Sequence, residues 1–94
     1  MPKTLQRTTN ETDDALISSH VEEHPARPGL AEWRLKERGV PVWAIVGLLT
    51  PSGNNANQVA HDYGVSDEAV AAARAFYRRH KSLIDERLEA NRAA

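Results

Sequence analysis

A glycine four residues after a small alanine constrains this chain more than any other feature of its sequence. Ala60 and Gly64 have the spacing of two helices that cross closely over a tight turn, because a small side chain lets the helices approach and glycine accepts a left-handed turn conformation. The apolar positions that would close the angle between the helices are Val59, Tyr63, Val65, Val70 and Ala73. The segment 58–77 therefore predicts a helix-turn-helix.

Signals at the helix ends extend this prediction. Pro41 suits the first turn of a helix, where its missing N–H is not needed, and it precedes apolar residues at helical spacing: Val42, Ile45, Val46 and Leu49. Asn54 or Asn55 can cap the second helix, and Ser66 can cap the third. No Pro or Gly interrupts residues 65–94, so we expect the third helix to run close to residue 94.

The first third of the chain has a different composition. Residues 1–29 are rich in Thr, Asn, Asp, Ser, Glu and Pro, and such a segment buries little apolar surface. We expect an irregular, partly disordered N-terminal arm over 1–29, and a helix-turn-helix-like domain with a C-terminal helical extension over 30–94. The stretch 31–35 is a candidate short strand or turn. The predicted fold is mostly all-α: a small three-helix, homeodomain-like bundle with an irregular arm, a long C-terminal helix and room for one short strand pair.

Charge is unevenly distributed along the chain. The net charge is −1, but residues 1–32 carry a balance of −3 and residues 74–94 a balance of +3. An acidic front and a basic rear can attract each other, within one chain or between two copies. The chain has no cysteine, which excludes disulfides and thiolate metal sites.

The expected reading surface of the helix-turn-helix is poorly suited to bases. The second helix would turn to solvent a row comprising Ser66, Asp67, Glu68, Ala71, Ala72 and Ala75. Carboxylates approach a phosphate-lined groove unfavourably, and alanine makes no bidentate base contact. A basic group remains that could contact phosphates without reading sequence, or could simply form a solvated face: Arg74, Arg78, Arg79 and Lys81.

Catalytic and metal-binding patterns are weak. His20, Glu23 and His24 spell a zinc-hydrolase motif, but that chemistry needs a rigid helix, a third ligand and a cleft. Pro25 follows at once, which disfavours a helix there. We therefore expect no catalytic residues, no metal, no cofactor and no small-molecule substrate.

Two features point instead to a partner macromolecule. Trp33 and Trp43 are large aromatic residues that either fill a small core or anchor an interface. The tail also continues an apolar stripe beyond the helical core, flanked by a cation, so the candidate partner-binding residues are Leu83, Ile84, Arg87 and Leu88. A long helix is marginal in water unless such a stripe is buried.

The region 33–84 resembles the bacterial family called domain of unknown function 433. The likeness is carried by short apolar motifs, namely Val40, Pro41, Val42, Ile45, Leu49, Val59, Asp62, Tyr63, Val70, Ala73 and Tyr77. The resemblance implies a winged or homeodomain-like helical domain that acts as an antitoxin. It also implies a partner, a ribonuclease toxin with a PilT-N-terminus-like fold. Gly39 stands where the family has an arginine, with Arg38 one residue earlier.

The expected function is therefore that of a non-enzymatic binding module, an antitoxin that binds and inhibits a nuclease. The alternatives are a DNA-binding regulator, in which the basic residues contact phosphates, and a structural subunit of a larger assembly. We also expect a homodimer. The longest apolar run, 42–49, is too short to cross a bilayer, and residues 1–10 lack the apolar run of a secretory signal, so we expect a cytoplasmic protein.

Overall fold

Five helices and two short strands make up the fold. The computed structural model describes residues 2–49 and 55–93. The elements in chain order are α1 (Pro2–His20), β1 (Val21–Glu22), a single 3-10 turn (Leu30–Glu32), β2 (Arg34–Leu35), α2 (Val42–Leu49), α3 (Ala56–Tyr63), α4 (Asp67–Arg79) and α5 (Lys81–Ala93). This composition confirms the mostly all-α fold, including the short strand pair.

The N-terminal segment is a helix, and the prediction of an irregular arm over 1–29 is wrong for residues 2–20. Thr, Asn, Asp and Ser form helices poorly in isolation, so the composition alone does not predict α1. Most helical stability in proteins comes from packing of one face. That face exists here, because α1 packs along α4 and Leu16 and Ile17 lie against the core.

The two strands join the front of the chain to the helix-turn-helix. β1 and β2 are antiparallel, with Val21 opposite Leu35 and Glu22 opposite Arg34. The turn after β2 contains two left-handed residues, Arg38 (φ 59°) and Gly39 (φ 64°). This turn brings the Val40 carbonyl back to accept from the Leu35 amide at 2.7 Å, so that α2 starts close to β2.

The helix ends in the predicted helix-turn-helix lie where their side chains indicate. The Asn55 side chain accepts from the Gln58 amide at the start of α3, and Gly64 ends that helix in the left-handed conformation at φ 68°. The Ser66 hydroxyl accepts from the Ala69 amide at the start of α4. The alternative cap, Asn54, lies outside the described residues.

The long C-terminal helix is broken. α4 ends at Arg79, and His80 adopts φ −128° and ψ 43° before α5 begins. No Pro or Gly lies at the break, so the sequence does not predict it. It lets α5 turn back against α2 and the 3-10 turn, which places Ile84 inside the core.

The core forms where α2, α3, α4, α5 and the strand pair meet. Its largest fully buried side chains are Phe76, Leu35, Ile45, Ile84, Val42, Val46, Val59 and Val70. Trp33 stacks on Phe76 with 5.7 Å between ring centroids. Trp33 therefore takes the core role that the sequence offered as one of two interpretations.

Candidate interaction surfaces

Glu37, from the turn that follows β2, binds the turn between α3 and α4 through hydrogen bonds. Its carboxylate accepts from the Ser66 amide at 2.8 Å and from the Ser66 hydroxyl at 2.7 Å. These hydrogen bonds lower the pKa of Glu37, with a smaller contribution in the same direction from nearby His20. A carboxylate at this position also meets the positive end of the α4 dipole. The helix-turn-helix is thus tied to the turn that follows β2.

Helix α1 covers part of the surface that would face DNA. Ala72 and Ala75 were expected to face solvent, but both are fully buried. Alanine at these positions lets α1 lie close against α4. Leu16 of α1 lies beside Ala71 and Arg74. The expected solvent row along α4 is therefore wrong at two positions, and the covering helix is the reason.

Three of the four candidate phosphate-binding residues already hold carboxylates. Arg78 pairs with Asp13 at 2.8 Å, and Arg79 pairs with Asp14 at 2.6 Å. Both aspartates belong to α1, so part of the acidic front and part of the basic rear meet within one chain. Lys81 pairs with Asp85 one turn along α5, at 2.8 Å.

Arg74 is different from these three. It is exposed, and it forms no ion pair within residues 11–49 and 55–93. It lines a shallow hollow with Leu16, Ala71 and Arg78. Of the predicted phosphate contacts, Arg74 is therefore the one whose guanidinium has no carboxylate partner among these residues.

A hydrogen-bond cluster bridges the break between α4 and α5. The Tyr77 hydroxyl donates to Asp85 at 2.8 Å, and the Lys81 ammonium donates to the other carboxylate oxygen. The Lys81 hydrogen bond, followed by that of Tyr77, lowers the pKa of Asp85. Burial and then neighbouring Arg79 lower the pKa of His80. The cluster links α5 to the last turn of α4.

The predicted partner-binding residues of the tail divide into three kinds. Ile84 is fully buried and belongs to the core of this chain, so it is wrong as an exposed contact. Leu88 is half-buried against that core. Leu83 is 40% exposed and stays a prediction, although it lies on the side of α5 near Arg79 and His80.

Arg87 is also engaged within the chain. Its guanidinium lies 4.4 Å from the centre of the Trp43 ring and pairs with Glu32 at 2.7 Å. An arginine over an indole face is a favourable cation–π contact. Arg87 therefore orients Trp43 at the edge of α2.

This arrangement leaves an open groove between α2, α5 and the end of α3. Its volume is about 750 Å³, and its lining residues are Trp43, Ala44, Gly47, Leu48, Tyr63, Leu88, Asn91 and Arg92. The floor is close-fitting at Gly47, where an added Cβ would lie 3.0 Å from a Leu88 methyl. Leu48 projects from α2 with 37% exposure. The groove thus combines apolar side chains and aromatic walls with a polar end at Asn91 and Arg92.

The sequence signalled only part of this groove. Trp43 and Leu88 were candidates, whereas Leu48 and Tyr63 were not recognised as surface residues of one site. A signal for Leu48 did exist, because Val42, Ile45 and Val46 bury the opposite face of α2. An apolar residue outside that stripe points away from the core.

The zinc-hydrolase pattern does not assemble. His24 uses its Nδ1 to accept from the Ala26 and Arg27 amides at 3.0 Å, so it acts as a turn cap. His20 lies 3.6 Å from Glu37. Within residues 11–49 and 55–93, no group of His, Asp and Glu side chains is placed to hold a metal ion.

Comparisons with known proteins add no relative. The chain matches no protein-family model, no curated protein and no solved structure. Among the helices that the structure describes, none combines the length and the apolar character needed to cross a membrane.

Proposed function

We propose that this protein is a non-enzymatic binding module, the antitoxin of a type II toxin–antitoxin pair, which binds and inhibits a PilT-N-terminus-like ribonuclease. The binding role is supported by one observation above all, the groove formed by Trp43, Leu48, Tyr63 and Leu88. Exposed apolar grooves with aromatic walls and a polar rim are typical of protein interaction sites. The choice of a toxin as the partner comes from the resemblance to domain of unknown function 433.

The chemistry of the groove defines the segment that would fill it. An amphipathic helix of the nuclease can place apolar side chains between Trp43 and Tyr63 at helical spacing. An acidic residue at one end of that helix would pair with Arg92, which is 75% exposed at the rim. The nuclease would be inhibited because the bound domain blocks access to its substrate site.

Growth rescue tests this proposal directly. The genes beside the one for this chain are searched for a nuclease, which is expressed alone and together with the chain, and survival is counted. The wild-type chain should restore growth, whereas Leu48→Asp should fail because it places a carboxylate in an apolar contact. With purified proteins, calorimetry should show Kd raised at least about tenfold by Leu48→Asp, the size of a moderate interface contact.

Leu30→Asp is the matched control. Leu30 is 36% exposed, close to the 37% of Leu48, but it does not line the groove. This variant should neutralise the nuclease as well as the wild type does. Equal binding by both variants would reject the groove, and the absence of a nuclease gene beside this one would reject the toxin assignment.

A cytoplasmic location and a homodimer belong to the same proposal. A ribonuclease inhibitor must meet its target where the RNA is, and a dimer would present two grooves. Sedimentation equilibrium of the chain, alone and with the nuclease, measures the stoichiometry. A monomer in both experiments would remove the homodimer from the proposal and leave the groove in place.

A further inference from the structure

The contact between α1 and α4 is built from two kinds of interaction. Leu16, Ile17, Ala72 and Ala75 supply buried apolar surface. Beside them, Asp13 and Asp14 place carboxylates on Arg78 and Arg79 at 2.8 and 2.6 Å. The second kind is exposed, since the side chains of Arg78 and Arg79 keep 55% and 39% of their surface open.

Those two arginines lie on the second helix of a helix-turn-helix, as does Arg74. Arg74 and Arg78 are four residues apart on α4, so their side chains lie one above the other, and Arg79 follows on the neighbouring side of the helix. We call these three arginines the basic row of α4. In such domains this helix is the element that docks on DNA. A row of guanidinium groups suits backbone phosphates, and the carboxylates of α1 now occupy the positions that phosphate oxygens would take.

We propose that the basic row of α4 is a phosphate-binding surface for duplex DNA, and that α1 regulates it as a built-in acidic cover. The covered form binds DNA weakly, because Asp13 and Asp14 compete with phosphates and α1 blocks the flank of α4. The uncovered form contacts the backbone without reading bases, since Ala71 offers no hydrogen bond to a base and the Asp67 carboxylate is repelled by a phosphate-lined groove. This surface shares no residue with the groove between α2 and α5, so it does not depend on binding of the nuclease.

The first test removes the two negative charges of α1 that face the basic row, in the full chain. Asp13→Asn/Asp14→Asn should lower the DNA concentration needed for a half-maximal gel shift about tenfold, because two exposed ion pairs no longer compete with phosphates. The probe is a duplex of random sequence. Binding by the double variant should weaken with salt, and its log–log slope should be steeper than the wild-type slope by about two, for two added phosphate contacts.

Two controls separate a cover from a general charge effect. Glu23→Gln/Glu86→Gln removes the same two charges from exposed positions that are not paired with Arg78 or Arg79, and it should leave DNA affinity close to that of the wild type. Leu16→Ala keeps both aspartates and adds no charge, but it removes apolar contact between α1 and α4, and it should also raise DNA affinity. Circular dichroism confirms that each variant is folded.

The outcomes are distinct. If Asp13→Asn/Asp14→Asn and Glu23→Gln/Glu86→Gln gain DNA affinity equally, the effect comes from net charge alone, and the role of α1 as a cover is overturned. No binding by any folded variant would overturn the DNA surface itself. Arg78→Glu/Arg79→Glu added to Asp13→Asn/Asp14→Asn should abolish the gain, and a gain that persists would place the phosphates elsewhere.

Discussion

At the residue scale, two adjacent side chains show how little of the tail is available to a partner. Ile84 is fully buried, whereas Leu83 is 40% exposed. Both belong to the apolar stripe that the sequence marks as a contact surface. The stripe could be recognised from spacing, but the side of it that faces the core depends on the break at His80, which has no local sequence signal.

Ile84→Ala should therefore lower the free energy of unfolding by about 3 kcal/mol, the usual cost of a cavity in a close-packed core. Leu83→Ala should change it by less than about 0.5 kcal/mol, as exposed substitutions do. Urea unfolding followed by circular dichroism measures both. Similar losses in the two variants would mean that α5 does not pack on α2 as described.

At the element scale, the helix-turn-helix is the part that the sequence predicts best. Asn55, Gly64 and Ser66 mark their helix ends by chemistry that is local to each position, through side-chain caps and a left-handed residue. The helix α1 could not be predicted in this way, because its stability depends on contacts with α4, more than 50 residues away in the sequence. The groove has the same limitation, since its walls come from three helices.

The carboxylate of Glu37 makes the helix-turn-helix sensitive to acid. Hydrogen bonds from Ser66 lower its pKa below the ordinary 4.5, so the charged form stabilises the fold. This stabilisation is present above the unfolded-state pKa and is lost as pH falls through the lower folded-state pKa. The free energy of unfolding of Glu37→Gln should be lower than that of the wild type by up to about 1 kcal/mol at pH 7. This difference should shrink as the pH falls through the folded-state pKa of Glu37.

Urea unfolding at pH 7 and in the acid range measures this change. Glu23→Gln is the control, because Glu23 is exposed and does not cap α4. If the difference in free energy of unfolding between Glu37→Gln and the wild type stays constant with pH, the Glu37 charge does not have the proposed role.

At the scale of the whole molecule, opposite charges meet at two contacts, between α1 and α4 and between the 3-10 turn and α5. The acidic front meets the basic rear at Asp13–Arg78, Asp14–Arg79 and Glu32–Arg87. The sequence left open whether this attraction acts within one chain or between copies, and these three pairs are intramolecular. Two of them hold α1 against α4, and Lys36 holds the end of α1 by donating hydrogen bonds to the Ser18 and His20 carbonyls.

Salt should therefore loosen α1 before it affects the core. Raising NaCl from about 0.05 M to about 1 M shortens the screening length from above 10 Å to about 3 Å. Amide hydrogen exchange over 11–20 should then accelerate about tenfold, while the buried amides of Ala73 and Phe76 keep their protection. An equal loss of amide protection in α1 and α4 would show that the two helices open together. That result would contradict a cover that separates from α4.

The two tryptophans of this chain have different surroundings. Trp33 is stacked on Phe76 in the core, whereas Trp43 lies at the groove wall beneath the Arg87 guanidinium. Their fluorescence can thus be separated by replacing one indole at a time. In Trp33→Phe the remaining emission comes from the groove wall, and in Trp43→Phe it comes from the ring packed on Phe76. The first variant therefore reports changes at the groove, and the second reports unfolding of the core.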